Sequence, residues 1–302
     1  MIFKRKTIKK LQNISIIILI ILSIFLFKSL TNNKVNYNPN EIVVHFIDVG
    51  QGDAILIQVN NKNMIIDSGS KTEKDKLVKY LDSINIPQFD YVIATHPHED
   101  HIGNMDYIIN NYKVINFYAP KVQANITAFE NMAEALSRTN NKINILNSNT
   151  NTISLGKNTT VNVLSPNLDS YDNLNNYSPI IKITYGNTSF LFTGDAEEVI
   201  EAEVLASPYN IKSDVLKIGH HGSSTSTSEK FLKEVEPKIA IISVGEDNTY
   251  NHPAKSTLEK LKATTTYRTD LNGSIIITSD GNSIKTYLKT IDAPKYLGAS
   301  IV

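Results

Sequence analysis

Three histidines and two acidic residues lie within residues 96–101, directly after the apolar run of residues 91–95. That run is predicted to be a short buried strand. The chain has only 7 histidines, so a chance cluster on a solvated loop is a poor explanation. Imidazole nitrogens and carboxylate oxygens are the usual ligands of catalytic zinc and similar metals. The segment therefore restricts the chain to folds that present metal ligands where a strand ends.

Two further groups of ligand-type side chains follow predicted strands. His220 and His221 come after residues 215–218, and such a pair can supply one metal ligand and one proton-transfer group. Asp195 closes the predicted strand pair of residues 180–193. A carboxylate there can bridge two metals, but it can equally end a turn or cap the helix that follows.

The distribution of charge separates the N-terminal segment from the rest of the chain. Residues 1–40 carry seven basic residues and no acidic one, whereas 23 basic and 30 acidic residues follow, a net charge of −7. Binding of nucleic acid rests on Lys and Arg that neutralise phosphates, so this charge gives no support to a large nucleic-acid footprint, although it allows a local basic groove. The absence of cysteine excludes disulfides, thiolate metal sites and cysteine nucleophiles.

An uncharged run of residues 11–27, rich in Ile, Leu and Phe, follows five basic residues. Roughly 17–25 apolar residues span a bilayer, and flanking basic residues stay cytoplasmic. We therefore predict one N-terminal transmembrane helix, a single-pass cell-membrane location and an extracytoplasmic body. A cleaved signal peptide and a secreted protein are the alternative, but no clear small-x-small site follows the run.

The remaining pattern predicts strands that occur in antiparallel runs as well as between helices. Predicted strands are residues 41–48, 54–59, 63–67, 91–95, 114–118, 152–164, 180–193 with a turn at Gly186-Asn187, 215–218, 239–244, 274–278 and 283–288. Predicted helices are residues 73–84, 105–112, 128–137, 197–206, 228–235 and 254–261. This order favours two sheets with helices outside over one doubly wound parallel sheet.

Five segments occur in a characteristic order: DVGQGDA at 48–54, IDSG at 66–69, THPHEDHIG at 95–103, LFTGD at 191–195 and KIGHHGSS at 217–224. Together they resemble the metallo-β-lactamase superfamily, and more closely the hydrolase domain of ComEC-type competence proteins. The resemblance covers roughly residues 41–288 and implies an α/β (α+β) fold, the αββα sandwich, with the site at the sheet edges. We predict an anchor or signal segment at 1–30, a linker at 31–40, the hydrolase domain at 41–290 and a tail at 291–302.

The resemblance also implies a set of site residues and two divalent metal ions, Zn²⁺ or Mn²⁺. The implied metal ligands are His96, His98, Asp100, His101, His221 and, as the bridging carboxylate, Asp195. The implied catalytic groups are Asp100, His220 and Asp53, the last two as proton relays. Ser223 and Ser224 are expected to bind a phosphate or oxyanion, and His252 to contact substrate. Asp48, Gln51 and Asp67 belong to the motifs without an assigned role.

One feature departs from the superfamily pattern, which would supply a third histidine beside His96 and His98. No histidine occurs between His101 and His220. The segment Asn-Asn-Tyr-Ser at 175–178 stands in that place, so Asn176 or Ser178, or water, is expected to complete the site. Asn176 and Ser178 are also expected to contact substrate. Neutral oxygen donors suit Mn²⁺ better than they suit tight Zn²⁺ binding, and one metal position should therefore be weaker.

Three functions are compatible with these residues. The resemblance favours a metal-dependent phosphodiesterase or nuclease, which hydrolyses nucleic acid or a phosphorylated envelope polymer. The enzyme is expected to act on the outer face of the membrane, without an obligate protein partner. Two metals about 3.5–4 Å apart can ionise a bridging water for such a reaction. The alternatives are a lactonase or β-lactamase-type C–O or C–N hydrolase, and a non-catalytic metal-stabilised binding module. Lys217 is expected to be a positive charge beside the site or a solvated strand residue, and His45 a structural residue.

Overall fold

Short apolar strands account for most of the buried surface of the chain. A computed structural model describes residue 38, residues 40–289 and the backbone of residues 297–301. In chain order the strands are β1 (Ile42–Phe46), β2 (Ile55–Val59), β3 (Lys62–Ile66), β4 (Gln88–Ile93), β5 (Lys113–Ala119), β6 (Ile143–Ile145), β7 (Thr159–Val163), β8 (Ile181–Tyr185), β9 (Thr188–Phe192), β10 (Val215–Lys217), β11 (Ile239–Ile242), β12 (Thr265–Arg268), β13 (Ser274–Ser279), β14 (Ile284–Lys289) and β15 (Leu297–Ile301).

The strands form two sheets, each partly antiparallel and partly parallel. The nine-stranded sheet has the order β15-β14-β13-β1-β2-β3-β4-β5-β6, and its pairs from β3 to β6 are parallel. The six-stranded sheet has the order β12-β11-β10-β9-β8-β7, and its pairs from β9 to β12 are parallel. Parallel strands end at one edge of their sheet, so the loops that leave β3, β4, β9, β10 and β11 emerge on shared edges.

Helices cover the outer faces of both sheets. They are α1 (Lys74–Ile84), α2 (Glu99–Ile102), α3 (Met105–Asn111), α4 (Thr127–Arg138), α5 (Glu198–Leu205), α6 (Glu229–Val235), α7 (Lys255–Lys260) and α8 (Thr269–Asn272). Alternate strand residues such as Phe46 and Phe192 fill the core between the sheets. The opposite strand faces pack on α1, α3 and α4 in one layer and on α5, α6 and α7 in the other. The predicted two-sheet αββα architecture is confirmed.

The long strand predicted at residues 152–164 is wrong in its first half, since only Thr159–Val163 forms a strand. The backbone before it pairs with side chains of the β2–β3 hairpin instead. Asn60 Nδ2 donates to the carbonyl oxygens of Leu155 and Lys157 at 2.9 Å each, and Lys62 Nζ donates to the Ser154 carbonyl at 2.6 Å. These side-chain partners replace the ladder hydrogen bonds that a neighbouring strand would provide.

The predicted membrane location is corrected by the structure. Within the part of the chain that the structure describes, none of the helices is long and apolar enough to cross a membrane. Residues 11–27, on which the transmembrane helix was predicted, lie outside the described residues. The boundaries at residues 30, 40 and 290 stay predictions.

His45 is buried in β1, as expected of a structural histidine. Its Nδ1 lies 3.0 Å from the Tyr80 hydroxyl and its Nε2 lies 3.2 Å from Gln58 Oε1. Burial, with a smaller contribution from the charge of Lys289, outweighs the hydrogen bond to Gln58 and lowers the pKa of His45 from 6.5 to about 3. The folded chain therefore holds this ring neutral.

This neutral ring predicts a loss of stability in acid. Between pH 6.5 and about 3 the unfolded chain binds a proton at His45 that the folded chain rejects, so the free energy of unfolding falls as the pH falls. We expect up to about 1.4 kcal/mol per pH unit from this group. Urea unfolding of the wild type and of His45→Gln, with EDTA present, measures it. Equal pH slopes for the two proteins would contradict the prediction.

Candidate metal centre

The predicted ligands converge where strands of both sheets end. The loop after β4 supplies residues 96–101, the loop after β9 supplies Asp195, and the turn after β10 supplies His221. Asp195 Oδ2 lies 3.2 Å from His101 Nε2 and 3.5 Å from His221 Nε2. The two Nε2 atoms are 3.2 Å apart although the residues are separated by 120 positions. The sandwich therefore brings together three segments that the sequence alone keeps far apart.

Ligand-type atoms form two neighbouring groups that share His101, and Asp195 belongs to the first of them. One group contains His96, His101 and Asp195, and the other contains Asp100, His101 and His221, with the ligand atoms of each group within 4.8 Å of one another. His98 joins the first group through its Nδ1, which lies 2.9 Å from His96 Nε2. Each group offers nitrogen and carboxylate donors, which is the donor set that Zn²⁺ and Mn²⁺ accept.

Hydrogen bonds behind the rings direct their Nε2 atoms toward the centre. Asp67 Oδ2 lies 2.8 Å from His101 Nδ1, and Asp67 is itself held by the amide and the hydroxyl of Thr95 at 2.8 and 2.6 Å. His221 Nδ1 donates to the Ser243 carbonyl at 2.9 Å. Such partners fix the tautomer of a metal-binding imidazole, so Asp67, which the sequence left without a role, orients His101.

An unusual turn separates the two adjacent histidines. Both have left-handed backbone angles, with φ of 48° at His220 and 52° at His221, and such a conformation costs about 1 kcal/mol or more for a non-glycine residue. His221 has 1% of its side chain exposed and faces the centre, whereas 22% of the His220 side chain is exposed. The turn therefore assigns the interior position to His221 and the rim to His220.

Gly52 permits the close approach of two loops. A Cβ on this residue would lie 2.2 Å from the Asp100 carbonyl oxygen, so no larger side chain fits. The same segment is anchored elsewhere: Asp48 Oδ1 accepts from the Gly50 amide at 3.1 Å, and Gln51 Oε1 accepts from the Gly245 amide at 3.2 Å. Asp48 and Gln51 thus stabilise the loop between β1 and β2.

Buried negative charge dominates the electrostatics of the cluster. Burial alone lowers the pKa of His221, but the carboxylates, led by Asp195, outweigh it and raise that pKa to about 10. Burial is likewise outweighed at His101, whose pKa is raised well above its ordinary value by Asp195, Asp67 and Asp100. For Asp195 burial raises the pKa, and His101 and His221 together lower it well below the usual range.

The donor groups fit a bound cation by two independent signs. The buried carboxylates require positive charge beside them, and without a metal they obtain it by raising the pKa of two histidine rings. A divalent ion would supply that positive charge instead, and both rings would then be neutral. In addition, Asp195 Oδ1 and Asp53 Oδ1 are buried with no hydrogen-bond partner among the described residues. A buried carboxylate oxygen that lacks a donor is costly, and a cation would satisfy it.

Lys217 is buried and paired, not solvated as one of the sequence interpretations had it. Its side chain is 0% exposed, its Nζ lies 2.7 Å from Asp53 Oδ2, and it also donates to the Ile218 carbonyl at 3.0 Å. The pair joins the loop after β1 in one sheet to the end of β10 in the other. Asp53 is therefore committed to an ion pair, and its position favours holding His221, whose Nδ1 lies 3.6 Å from Asp53 Oδ1, over a proton relay.

The expected replacements for the missing third histidine point elsewhere. Ser178 Oγ lies 3.2 Å from His96 Nδ1, behind the ring, and accepts from the Asp195 amide at 3.1 Å. Asn176 Oδ1 accepts from the Glu197 amide at 3.2 Å. The neighbouring Asn175, which the sequence interpretation missed, interacts with the His98 ring, and its Oδ1 is buried without a partner among the described residues. Asn175 is therefore the candidate neutral oxygen donor beside His98.

The predicted substrate-binding residues lie at the rim. His252 has its ring centroid 5.4 Å from that of His220. Ser224 is exposed, whereas Ser223 is buried and its hydroxyl lies 3.1 Å from Thr225 Oγ1. The structure thus places His252 beside the histidine turn, and the substrate-binding role of His252 and both serines stays a prediction.

The family of the chain follows from its sequence relatives together with this geometry. Residues 47–246 match the sequence profile of the Metallo-beta-lactamase superfamily. The chain belongs to the metallo-β-lactamase superfamily. Members of this superfamily bind divalent metals, so the superfamily itself implies a metal-dependent hydrolase.

Three curated relatives match most of this metallo-β-lactamase domain. Competence protein ComA of Neisseria gonorrhoeae is 27% identical over 80% of this chain and 33% of its own length. ComE operon protein 3 of Bacillus subtilis (strain 168) is 33% identical over 77% of this chain and 32% of its own length. Recombination protein 2 of Haemophilus influenzae (strain ATCC 51907 / DSM 11121 / KW20 / Rd) is 32% identical over 81% of this chain and 29% of its own length. The chain therefore spans about a third of the length of these relatives, and the resemblance to the ComEC-type hydrolase domain is confirmed.

A solved structure supports the fold. The metallo-beta-lactamase fold protein YhfI from Bacillus subtilis superposes with a TM-score of 0.53 over 79% of this chain and 99% of its own, at 14% sequence identity. At that identity the likeness concerns the fold alone.

Proposed function

We propose that this chain is a metal-dependent phosphodiesterase that acts on nucleic acid. The observation that carries the proposal is the pair of adjacent ligand groups, with Asp195 Oδ2 within 3.8 Å of the Nε2 atoms of His96, His101 and His221. Two cations held side by side stabilise the attacking and leaving oxygens of a phosphoryl displacement. The relatives named Recombination protein 2 and Competence protein ComA support a nucleic acid over an envelope polymer as the substrate.

Each residue of the centre has a defined task in this proposal. Two divalent ions, when bound, would lower the pKa of water and neutralise charge on the phosphate. His96, His98, Asp100, His101, Asp195 and His221 would hold them. Asp67 and the Ser243 carbonyl keep two of these rings in position. The Lys217–Asp53 pair fixes the loop beneath His221.

His220 is the residue placed to carry a proton during the reaction. Its Nε2 lies 3.7 Å from Asp195 Oδ2 and its Nδ1 lies 3.3 Å from Thr225 Oγ1. The Thr225 hydroxyl in turn donates to Glu197 Oε1 at 3.0 Å, which lies at the rim. Because the Thr225 hydroxyl donates to Glu197, Nδ1–H of His220 donates to Thr225 Oγ1, and Nε2 is free to accept a proton. We propose that Nε2 takes the proton released by the attacking water and passes it to the leaving oxygen.

A panel of substrates tests the function. The full chain, loaded with Zn²⁺ or Mn²⁺, is assayed with single-stranded DNA, bis(p-nitrophenyl) phosphate and nitrocefin. Hydrolysis of the first two and not the third is expected. Turnover of nitrocefin alone would replace the proposal with C–N hydrolysis, and turnover of none of them would favour a binding module.

The oxygen donor of Asn175 predicts unequal metal affinities. An amide oxygen binds Zn²⁺ less firmly than imidazole does, so we expect dialysed wild-type protein to retain one metal and to gain activity when Mn²⁺ is added. Asn175→Asp keeps the shape and adds a charged oxygen, and the metal retained after dialysis should then rise. Elemental analysis of dialysed protein measures it.

The adjacent Asn176→Asp is the matched control, because its oxygen already accepts from the Glu197 amide. It should leave the metal content unchanged. Two tightly held zinc ions in the wild type, or equal metal contents in the two variants, would contradict the assignment of Asn175.

A further inference from the structure

The loop between β11 and α7 places an exposed aromatic ring beside the centre. Tyr250 is 65% exposed, and its ring stacks on that of His252 with centroids 5.7 Å apart and an angle of 24° between the planes. The His252 ring stacks in turn near that of His221, with centroids 6.4 Å apart and an angle of 28°. A short series of rings therefore leads from solvent to a candidate metal ligand.

Hydrogen bonds and tight packing hold this loop in place. The Asn248 side chain donates to the His252 carbonyl at 2.7 Å and accepts from the His252 amide at 3.0 Å. The Ala254 amide donates to the Gly222 carbonyl at 2.9 Å. A Cβ on Gly222 would lie only 2.6 Å from the Cβ of Pro253. The loop thus packs directly against the turn that carries His220 and His221, and Tyr250 has a fixed position relative to them.

The net negative charge of the chain from residue 41 onward weakens its attraction for a polyanionic substrate, so a stacking contact would add needed affinity. The sequence from residue 41 onward has a net charge of −7, so attraction of phosphates by Lys and Arg is weak away from the centre. A flat apolar ring binds the face of any base and adds affinity that does not depend on charge. Bases inside a duplex cover each other's faces, whereas every base of a single strand can present a face to such a ring.

We propose that Tyr250 is the binding platform for a nucleobase next to the scissile phosphate, and that this subsite selects single-stranded nucleic acid. The inference rests on the proposed phosphodiesterase function and names its substrate class. Tyr250 binds the base on its exposed face, while His252 supports the other face. The phosphate bonded to this nucleoside then lies over the turn of residues 219–222.

Two phosphodiesters with the same leaving group test the subsite kinetically. Thymidine 5′-(p-nitrophenyl phosphate) carries a base, and methyl p-nitrophenyl phosphate does not. With the metal-loaded full chain, Tyr250→Ala should raise KM for the thymidine ester about tenfold and leave kcat and the methyl ester unchanged. Tyr250→Phe, which keeps the ring, should behave as the wild type. Tyr209→Ala removes another exposed tyrosine, before β10 and so at the opposite end of that strand, and should have no effect.

A spectroscopic measurement detects the base without turnover. The chain contains no tryptophan, so Tyr250→Trp introduces a single reporter. With EDTA present, a short oligothymidylate should quench its emission, and an abasic strand of the same length should not. Tyr209→Trp should respond to neither strand.

The outcomes separate the two proposals. If the wild type hydrolyses neither ester, the phosphodiesterase proposal fails, and base-dependent quenching still supports the subsite. If both esters are hydrolysed and Tyr250→Ala affects them equally or not at all, the base platform is overturned while the phosphodiesterase proposal stands. Equal quenching by the two strands, or quenching by neither, also overturns the platform.

Discussion

Asp195→Asn is expected to reduce phosphodiester turnover by about three orders of magnitude, which corresponds to about 4 kcal/mol of transition-state stabilisation. The side chain keeps its shape but loses a negative charge that lies close to ring nitrogens of both ligand groups. Its Oδ2 lies 3.8 Å from His96 Nε2 and 3.2 Å from His101 Nε2, so one change weakens both positions. Steady-state hydrolysis of bis(p-nitrophenyl) phosphate with saturating metal measures the effect.

Asp214→Asn provides the control for this substitution. Asp214 is also a hydrogen-bonded carboxylate, since its Oδ2 accepts from the Ser189 amide at 2.9 Å, but it precedes β10 and lies at the far end of that strand from the centre. The phosphodiester turnover of the Asp214→Asn variant should stay close to that of the wild type. Circular dichroism should show that both variants fold, and turnover near the wild-type rate in a folded Asp195→Asn would contradict the assigned centre.

Lys217→Met is expected to destabilise the metal-free protein by about 3–5 kcal/mol. The substitution leaves the Asp53 carboxylate buried and unpaired beside the carboxylate of Asp195, with which it shares a group of ligand-type atoms. Removing one charge of a buried ion pair lowers the free energy of unfolding far more than removing both charges does. Chemical denaturation in EDTA, compared between variant and wild type, gives the loss.

The double variant Lys217→Met/Asp53→Asn distinguishes an ion pair from a simple packing defect. Removing both charges should recover much of the stability lost in Lys217→Met, because no unpaired charge then remains. Losses that simply add would contradict the pairing. Addition of a divalent metal should also recover part of the stability of Lys217→Met, because a cation at the neighbouring centre offsets the charge of Asp53.

Much of the fold and the centre could be predicted because local patterns decide them. Apolar runs bounded by glycine and asparagine predicted β1–β3. The histidine segments follow predicted strands, and because strand ends lie at the edge of a sheet, the position of the centre could be predicted as well. Short edge elements such as β6 and β12 were missed. Ile143 and Ile145 of β6 are exposed, so this strand has no alternation of buried and exposed residues from which it could be predicted.

Contacts between distant segments explain the remaining errors. Lysine is rarely buried, and no sequence pattern near Lys217 indicates that it forms an ion pair with Asp53. The choice among Asn175, Asn176 and Ser178 depended on which side of the short turn Leu174–Tyr177 faces the centre, and neighbouring polar residues give no pattern that decides it. Tyr250 was missed because an exposed tyrosine in a polar loop carries no signal without its neighbours in space.

The separation of the ligands along the chain also fixes the order in which the protein can mature. During synthesis the segment of residues 96–101 emerges well before His221. A nascent chain that ends before β10 offers a cation an incomplete set of donors, open to water and to exchange. Full affinity arises only when the six-stranded sheet has docked. Metal capture is therefore a late step, and an ion that resists chelation marks a chain whose two halves have come together.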